Sequence, residues 1–233
     1  MINARVSSAF IAGFFLVLIN VEGAAESNEL SKAETLLWMT DQLSAVNDPV
    51  EIRYEFNRTG TFDPGFTDTV RFIVHAVKAN GMKSARLEFF TGERSVDVAP
   101  VENTTINPVL KVYLQGDVYE MNRLTDPEGK SRERWRYFQR RIKLALAEIA
   151  TVEDVLVTFD DIDYSAKKIE FSPYLNDPKR RLFEPFSGKA YTIILSKDLP
   201  GYIYSIESVV PGERSNALPL IRDRLELIEI NSL

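Results

Sequence analysis

NPVLKVYLQGDVYEMNRLT, residues 107–125, can be taken as strand or as helix, and everything on either side of it rearranges with the choice. Leu110, Val112 and Leu114 alternate as a strand would, but the alternation stops there. Leu110, Tyr113, Leu114, Val118, Met121 and Leu124 recur instead at the spacing of one helical face. Asn107 can cap the free amides of a first turn, and Pro108 at the first helical position loses no hydrogen bond. Gly116 weakens the helix without ending it. The spacing predicts a helix over 107–125, and it places Asp117 in the middle of the apolar face. A buried carboxylate without a partner costs several kcal/mol or loses its charge, so a partner is expected.

Downstream, DPEG at 126–129 fits a type I turn. Beyond it Trp135, Phe138, Ile142, Ala145, Leu146 and Ile149 trace a second helical face, so the two segments read as a helical hairpin. Folding back at this turn brings position 117 level with position 139. Arg141 is then the expected partner of Asp117, with Gln139 or a backbone amide as the fallback, and Asp117 reads as a structural anchor of the hairpin.

Upstream, Ser31 and Glu34 form a capping box ahead of Leu36, Met39, Leu43 and Val46, which predicts an amphipathic helix over 31–46. The period then changes to two in VEIRYEFN, TVRFIVHAV and SARLEFF, with turns at FDPGF and Asn80-Gly81 and a fourth short strand expected at RSVDVA. After the helical pair come VLVTFD, YSAKKIEFSP, KAYTIILS, YIYSIESVV and RLELIEI, a second meander. The expected fold class is α+β: antiparallel β meanders forming an incomplete barrel or curved sheet, with an N-terminal helix and a central helical hairpin. No linker rich in Pro, Gly or Ser separates the halves, so residues 26–233 are expected to be a single mature domain.

Residues 1–25 carry Arg5, the apolar run AFIAGFFLVLINV, and the small residues Gly23 and Ala25. That is the pattern of a secretory signal peptide cleaved after Ala25; the run is shorter than the ~20 residues of a spanning helix. No transmembrane segment is expected in the mature chain, and its place is the periplasm or beyond. The chain has no Cys, so neither a lipid-modified cysteine nor a disulfide frame is available. A net charge of −6 argues against bulk attraction to nucleic acid.

The order of elements resembles the periplasmic lipoprotein-carrier fold, an incomplete antiparallel barrel whose helices plug its mouth. GFTDTV, NPVLKVYLQGDVYEMNRLT, YFQRRIKLALA and NDPKRRLFEPFSGKAYTIILSKDLPGYIY are similar to an uncharacterised family of exported bacterial proteins. The first resemblance implies a concave sheet that holds a hydrophobic ligand; the second brings no activity with it.

Residues for catalysis are scarce. His75 is the only histidine, on a strand, and no GxSxG, GxGxxG or phosphate loop occurs. FDDIDY lacks the spacing of a calcium loop and reads as an acidic hairpin turn. Neither a metal nor a cofactor is expected. One patch opposes the acidic mean: Lys130, Arg132, Arg134, Arg136, Arg140, Arg141 and Lys143 stand against one Glu133, and Lys179, Arg180 and Arg181 form a second cluster. These basic residues are either a solvated surface whose stems cover core or a ligand or partner surface. The leading function is a non-enzymatic exported protein that binds an amphipathic small molecule in the sheet concavity. The alternative is an interaction module for another envelope protein, and a carboxylate-based hydrolase comes third.

Overall fold

The structure is a computed structural model that describes residues 29–126, 128, 134–214 and 217–233. The expected leader, Lys130, Arg132 and part of the DPEG turn lie outside the described residues. Strands β1 (Val50–Thr59), β2 (Phe66–Val77), β3 (Lys83–Phe89) and β4 (Val101–Thr104) precede helices α2 (Pro108–Thr125) and α3 (Arg134–Glu148). Strands β5 (Thr151–Phe159), β6 (Ile162–Phe171), β7 (Ala190–Leu195), β8 (Ile203–Val210) and β9 (Ile221–Ser232) follow. The first helix, α1 (Lys32–Glu34), runs into a π-helical turn at Thr35–Met39.

All nine strands join one antiparallel sheet in the order β4-β3-β2-β1-β9-β8-β7-β6-β5. The two expected meanders are thus halves of one sheet, joined where β1 lies along β9 from Val50↔Ser232 to Thr59↔Arg222. The edge strands β4 and β5 do not pair with each other, so the sheet stays open as an incomplete barrel.

Strand parity gives the sheet two unlike faces. On the outer face, Arg71 reaches Glu51 at 2.6 Å and Glu88 at 2.6 Å, Arg53 reaches Glu229 at 2.6 Å, and Arg222 reaches Glu207 at 2.7 Å. This is a ladder of opposite charges between neighbouring strands. On the inner face Phe56, Leu225, Ile206, Ile193 and Ile169 stand side by side across β1, β9, β8, β7 and β6, all buried. Helix α2 meets this row at Tyr113, whose ring lies 6.4 Å from that of Phe56.

The helical reading of 107–125 holds. Asn107 caps the first turn by accepting from the Val109 amide at 3.0 Å, and Val109, Leu110, Tyr113, Leu114, Val118 and Met121 are buried on one face. Helix α3 follows as expected, with Phe138, Ile142, Ala145 and Leu146 buried. Ile149 lies one residue past its end and is exposed.

Two expectations fail. The helix expected to reach Val46 stops at Met39: the Ser31 capping box forms, but a π turn re-phases the chain, so Ala33 and Leu37 face the core and Met39 faces solvent. Tertiary hydrogen bonds take over from there, since the Gln42 and Leu43 amides donate to the Thr105 carbonyl at 2.9 and 3.2 Å. RSVDVA is not a strand. It makes one isolated bridge, Phe89–Val96, and the edge strand β4 begins only beyond Pro100, which has no amide proton to give a ladder.

Candidate functional site

One row along from the apolar row, the inner face turns polar. Arg58 pairs with Asp223, Asp223 with Ser208, and Ser208 with Tyr191 across β1, β9, β8 and β7, with Lys189 just before β7. Tyr113, Asp117 and Glu120 follow one another at helical spacing on α2, and this stripe lies over the row. Arg58 forms a two-pronged pair with Asp223, both contacts at 2.7 Å, and reaches Glu120 at 3.0 Å. Tyr113 is 3.3 Å from both the Ser208 hydroxyl and the Asp223 carbonyl. Asp117 accepts from the Lys189 ammonium, from the Tyr191 hydroxyl and, at 3.4 Å, from Ser208. Two buried ion pairs, Asp117–Lys189 and Asp223–Arg58, are therefore linked through Ser208 and Tyr113 into one polar seam between helix and sheet.

Burial sets the acid–base character of the seam. It raises the Asp223 carboxyl above its ordinary range, with Arg58 pulling the other way. It pushes the Tyr191 hydroxyl well up, and the neighbouring Asp117 charge adds to the effect. Burial also works against the Glu120 charge, but Arg123 and Arg58 outweigh it and hold that carboxyl below the usual range. Lys189 is 1% exposed and Asp117 6%. Groups sealed to that degree depend on one another, not on water, for hydrogen bonds.

The expected Asp117–Arg141 pair is not formed. Arg141 points out of the hairpin to Asp177, 2.7 Å away in the loop after β6, and Asp117 takes Lys189. The reason is that α2 lies on the sheet, so its polar stripe faces β7 to β9 rather than α3. Asp177, itself buried, also accepts from Tyr137 at 2.6 Å and from the Lys179 amide at 2.7 Å. Burial and the Asp177 charge push the Tyr137 hydroxyl up to about 12.

This contact brings the two basic clusters together. The Lys179 ammonium lies 5.4 Å above the Tyr137 ring, so Lys179, Arg180 and Arg181, all exposed, flank the outer side of α3, where Arg136, Arg140 and Lys143 are also exposed. Arg134 is different: it donates to the Thr125 carbonyl at the end of α2 and is half-buried.

The cavity expected in the sheet concavity is not open, because buried core fills the space between α2 and the sheet; a cleft of about 370 Å³ lies instead at the N-terminal end of α2. Leu37 and Trp38 of the π turn, Val101 of β4, Ile106, Leu110 and Lys111 line it. Beneath the rest of α2 lie the seam and buried core; Leu199 and Tyr202 of the β7–β8 loop are buried too, and the Gly201 carbonyl between them accepts from Asn107 at the start of α2 at 2.8 Å.

His75 stands on the outer face, half exposed, 4.0 Å from Glu102. Asp160 and Asp161 are the two central residues of the β5–β6 hairpin, both with positive φ, 55° and 61°, which is the turn that suits a two-residue hairpin. Among the described residues no cluster of His, Asp or Glu is placed to hold a metal ion, and no helix is long and apolar enough to cross a membrane.

The seam partners Lys189, Asp223 and Arg58 were missed, although strand parity marks them. Lys189 shares parity with Tyr191, Ile193 and Leu195; Asp223 with Ile221 and Leu225; Arg58 with Tyr54 and Phe56. A charge with core parity is the strand counterpart of Asp117 on its helix.

An open antiparallel sheet with helices on its inner face agrees with the incomplete barrel expected from the order of elements. Lipoprotein LppX of Mycobacterium tuberculosis superimposes with a TM-score of 0.33 at 9% identity, covering 86% of this chain and 97% of that one. A LolA superfamily protein of Nitrosomonas europaea gives 0.22 at 10% identity, covering 86% and 93%. Both superpositions are loose, and the fold class stands on the strand order and helix placement themselves. No family model and no curated protein matches the chain.

Proposed function

We propose that the protein is a non-enzymatic, exported envelope protein that holds one small amphipathic ligand in the cleft at the N-terminal end of α2. The observation that supports this is the cleft itself: about 370 Å³, lined mostly by apolar side chains with Lys111 among them. Small-molecule pockets occupy roughly 300–1,000 Å³, combining apolar walls with a few polar groups. A filled interior limits the ligand to the size of a single fatty acid rather than a lipid with several chains. Export rests on the apolar run at 9–21 and the small residues before Glu26.

Displacement of a fluorescent fatty acid from delipidated protein tests the reading. Saturable one-site binding is expected, and Val101→Phe, which fills the cleft from an edge strand, should weaken it by about tenfold or more, equivalent to ~1.4 kcal/mol. Absence of binding, or binding indifferent to Val101→Phe, contradicts it.

One observation favours a second reading, an interaction module. Among the described residues no strand pairs with the outer edge of β5, and Leu156 within that strand is 72% exposed. A strand of another envelope protein could add there. Loss of a partner on placing Pro at Val155, with the fatty-acid probe still bound, would assign the function to the edge.

A further inference from the structure

We infer that the outer side of α3 and the loop after β6 form a docking surface for an anionic phospholipid bilayer, independent of what the cleft binds. Asp177 joins these two elements, tying the loop to Tyr137 and Arg141 of the helix. On the solvent side of that tie stand Arg136, Arg140, Lys143, Lys179, Arg180 and Arg181, all exposed. Glu184 lies 3.4 Å from Arg180 within this group. The chain as a whole carries −6, so this concentration of positive charge is a local feature with a direction, not a consequence of composition.

Charge alone would suit any polyanion. The apolar residues of the same loop choose the bilayer. Leu182 closes the short 3-10 turn that holds Arg180 and Arg181 and is 69% exposed; Leu175, also in this loop, is 49% exposed. Single exposed leucines are common and carry no message by themselves. Here they are held out beside guanidinium groups on a loop anchored from below by a buried carboxylate. That pairing of basic heads with apolar tips is the chemistry of the headgroup–acyl boundary, where basic groups meet lipid phosphates and leucine enters the acyl layer. An acidic protein or an anionic glycan would use the arginines and leave Leu182 in water.

Vesicle flotation with the mature chain separates these partners. The probes are vesicles of phosphatidylcholine alone and of phosphatidylcholine mixed with an equal amount of phosphatidylglycerol. Binding to the mixed vesicles only is expected, and it should fade as salt shortens the screening length from ~10 Å at 0.1 M to ~3 Å at 1 M. A basic residue at an anionic membrane contributes about fivefold in affinity, so Arg180→Gln with Arg181→Gln should weaken binding by about 25-fold. Leu182→Ser, which keeps every charge, should weaken it severalfold. Arg86→Gln with Arg222→Gln removes the same charge from the outer face of the sheet and should leave binding unchanged. All five side chains are exposed or near the surface, and melting curves matching the wild type confirm that each variant folds. No binding to mixed vesicles, equal loss in the outer-face control, or a Leu182→Ser variant that binds as the wild type does would overturn the inference; the last result would assign the surface to a soluble polyanion.

Discussion

The outer face of the sheet and the seam under α2 both pair basic with acidic side chains, yet they do different work. On the outer face, pairs such as Arg222–Glu207 stand in water, 45% and 21% exposed at the side chain, and either partner can be solvated if the other is lost. Such pairs contribute roughly 0–1 kcal/mol. In the seam, Lys189 and Asp117 are 2% and 3% exposed at the side chain, and neither has water to turn to. Forming a buried pair adds little net stability, but removing one partner is costly because it leaves the other stranded. Solvated outer pairs therefore tolerate substitution, Glu51 with its side chain 8% exposed between Arg53 and Arg71 being the exception, while the seam ties α2 to the sheet.

The largest effect should come from Asp117→Ala, which strands the Lys189 ammonium in the core. Urea unfolding should show a loss of about 3–5 kcal/mol. A loss below about 1 kcal/mol would place Asp117 with the outer-face pairs and end the distinction. Asp223→Asn should cost less, about 2 kcal/mol, because Glu120 remains beside Arg58 at 3.0 Å and keeps that guanidinium paired.

Acid titration sharpens the contrast, because one carboxylate on each side shifts in the opposite direction. Asp223 is raised above its ordinary 3.8 by burial, so between 3.8 and its folded value the native state binds the extra proton and stability rises as pH falls. Glu51, on the outer face, is lowered from 4.5 by hydrogen bonds from Arg71, so its contribution is present above 4.5 and lost as pH falls toward the folded value. Stability measured across this window should become more acid-sensitive in Asp223→Asn and less so in Glu51→Gln. Equal slopes in both variants and the wild type would break the contrast. The smallest effect belongs to Arg222→Ala, expected at about 0.5 kcal/mol or less.

Much of this arrangement was legible in the chain, and the rest was hidden for identifiable reasons. Asn107, Pro108 and the helical spacing that follows marked α2, and alternation marked eight of the nine strands, because both depend on local periodicity. Asp117 was readable as a residue in need of a partner. Its partner was not, because the choice between Arg141 and Lys189 depends on which side of α2 faces α3 and which faces the sheet, and no local period records that. The joining of β1 to β9 is hidden in the same way. The end of the first helix at Met39 was hidden because the bonds that replace it, from Gln42 and Leu43 to Thr105, reach far along the sequence. Asp177 sits in a turn, where no parity separates inside from outside, so its burial left no mark. The basic clusters were visible, but their junction was not, because Asp177 makes it.

The most direct test of the seam as a device that positions α2 is a double-mutant cycle on Asp117 and Lys189, read by urea unfolding. Asp117→Asn and Lys189→Met each leave one buried group without its charge partner, so each alone should destabilise the protein. The double variant should be less destabilised than the two losses added together, with a coupling energy of about 1 kcal/mol or more. Additive losses, or single variants as stable as the wild type that have lost fatty-acid binding, would contradict the account and make Asp117 part of a working site.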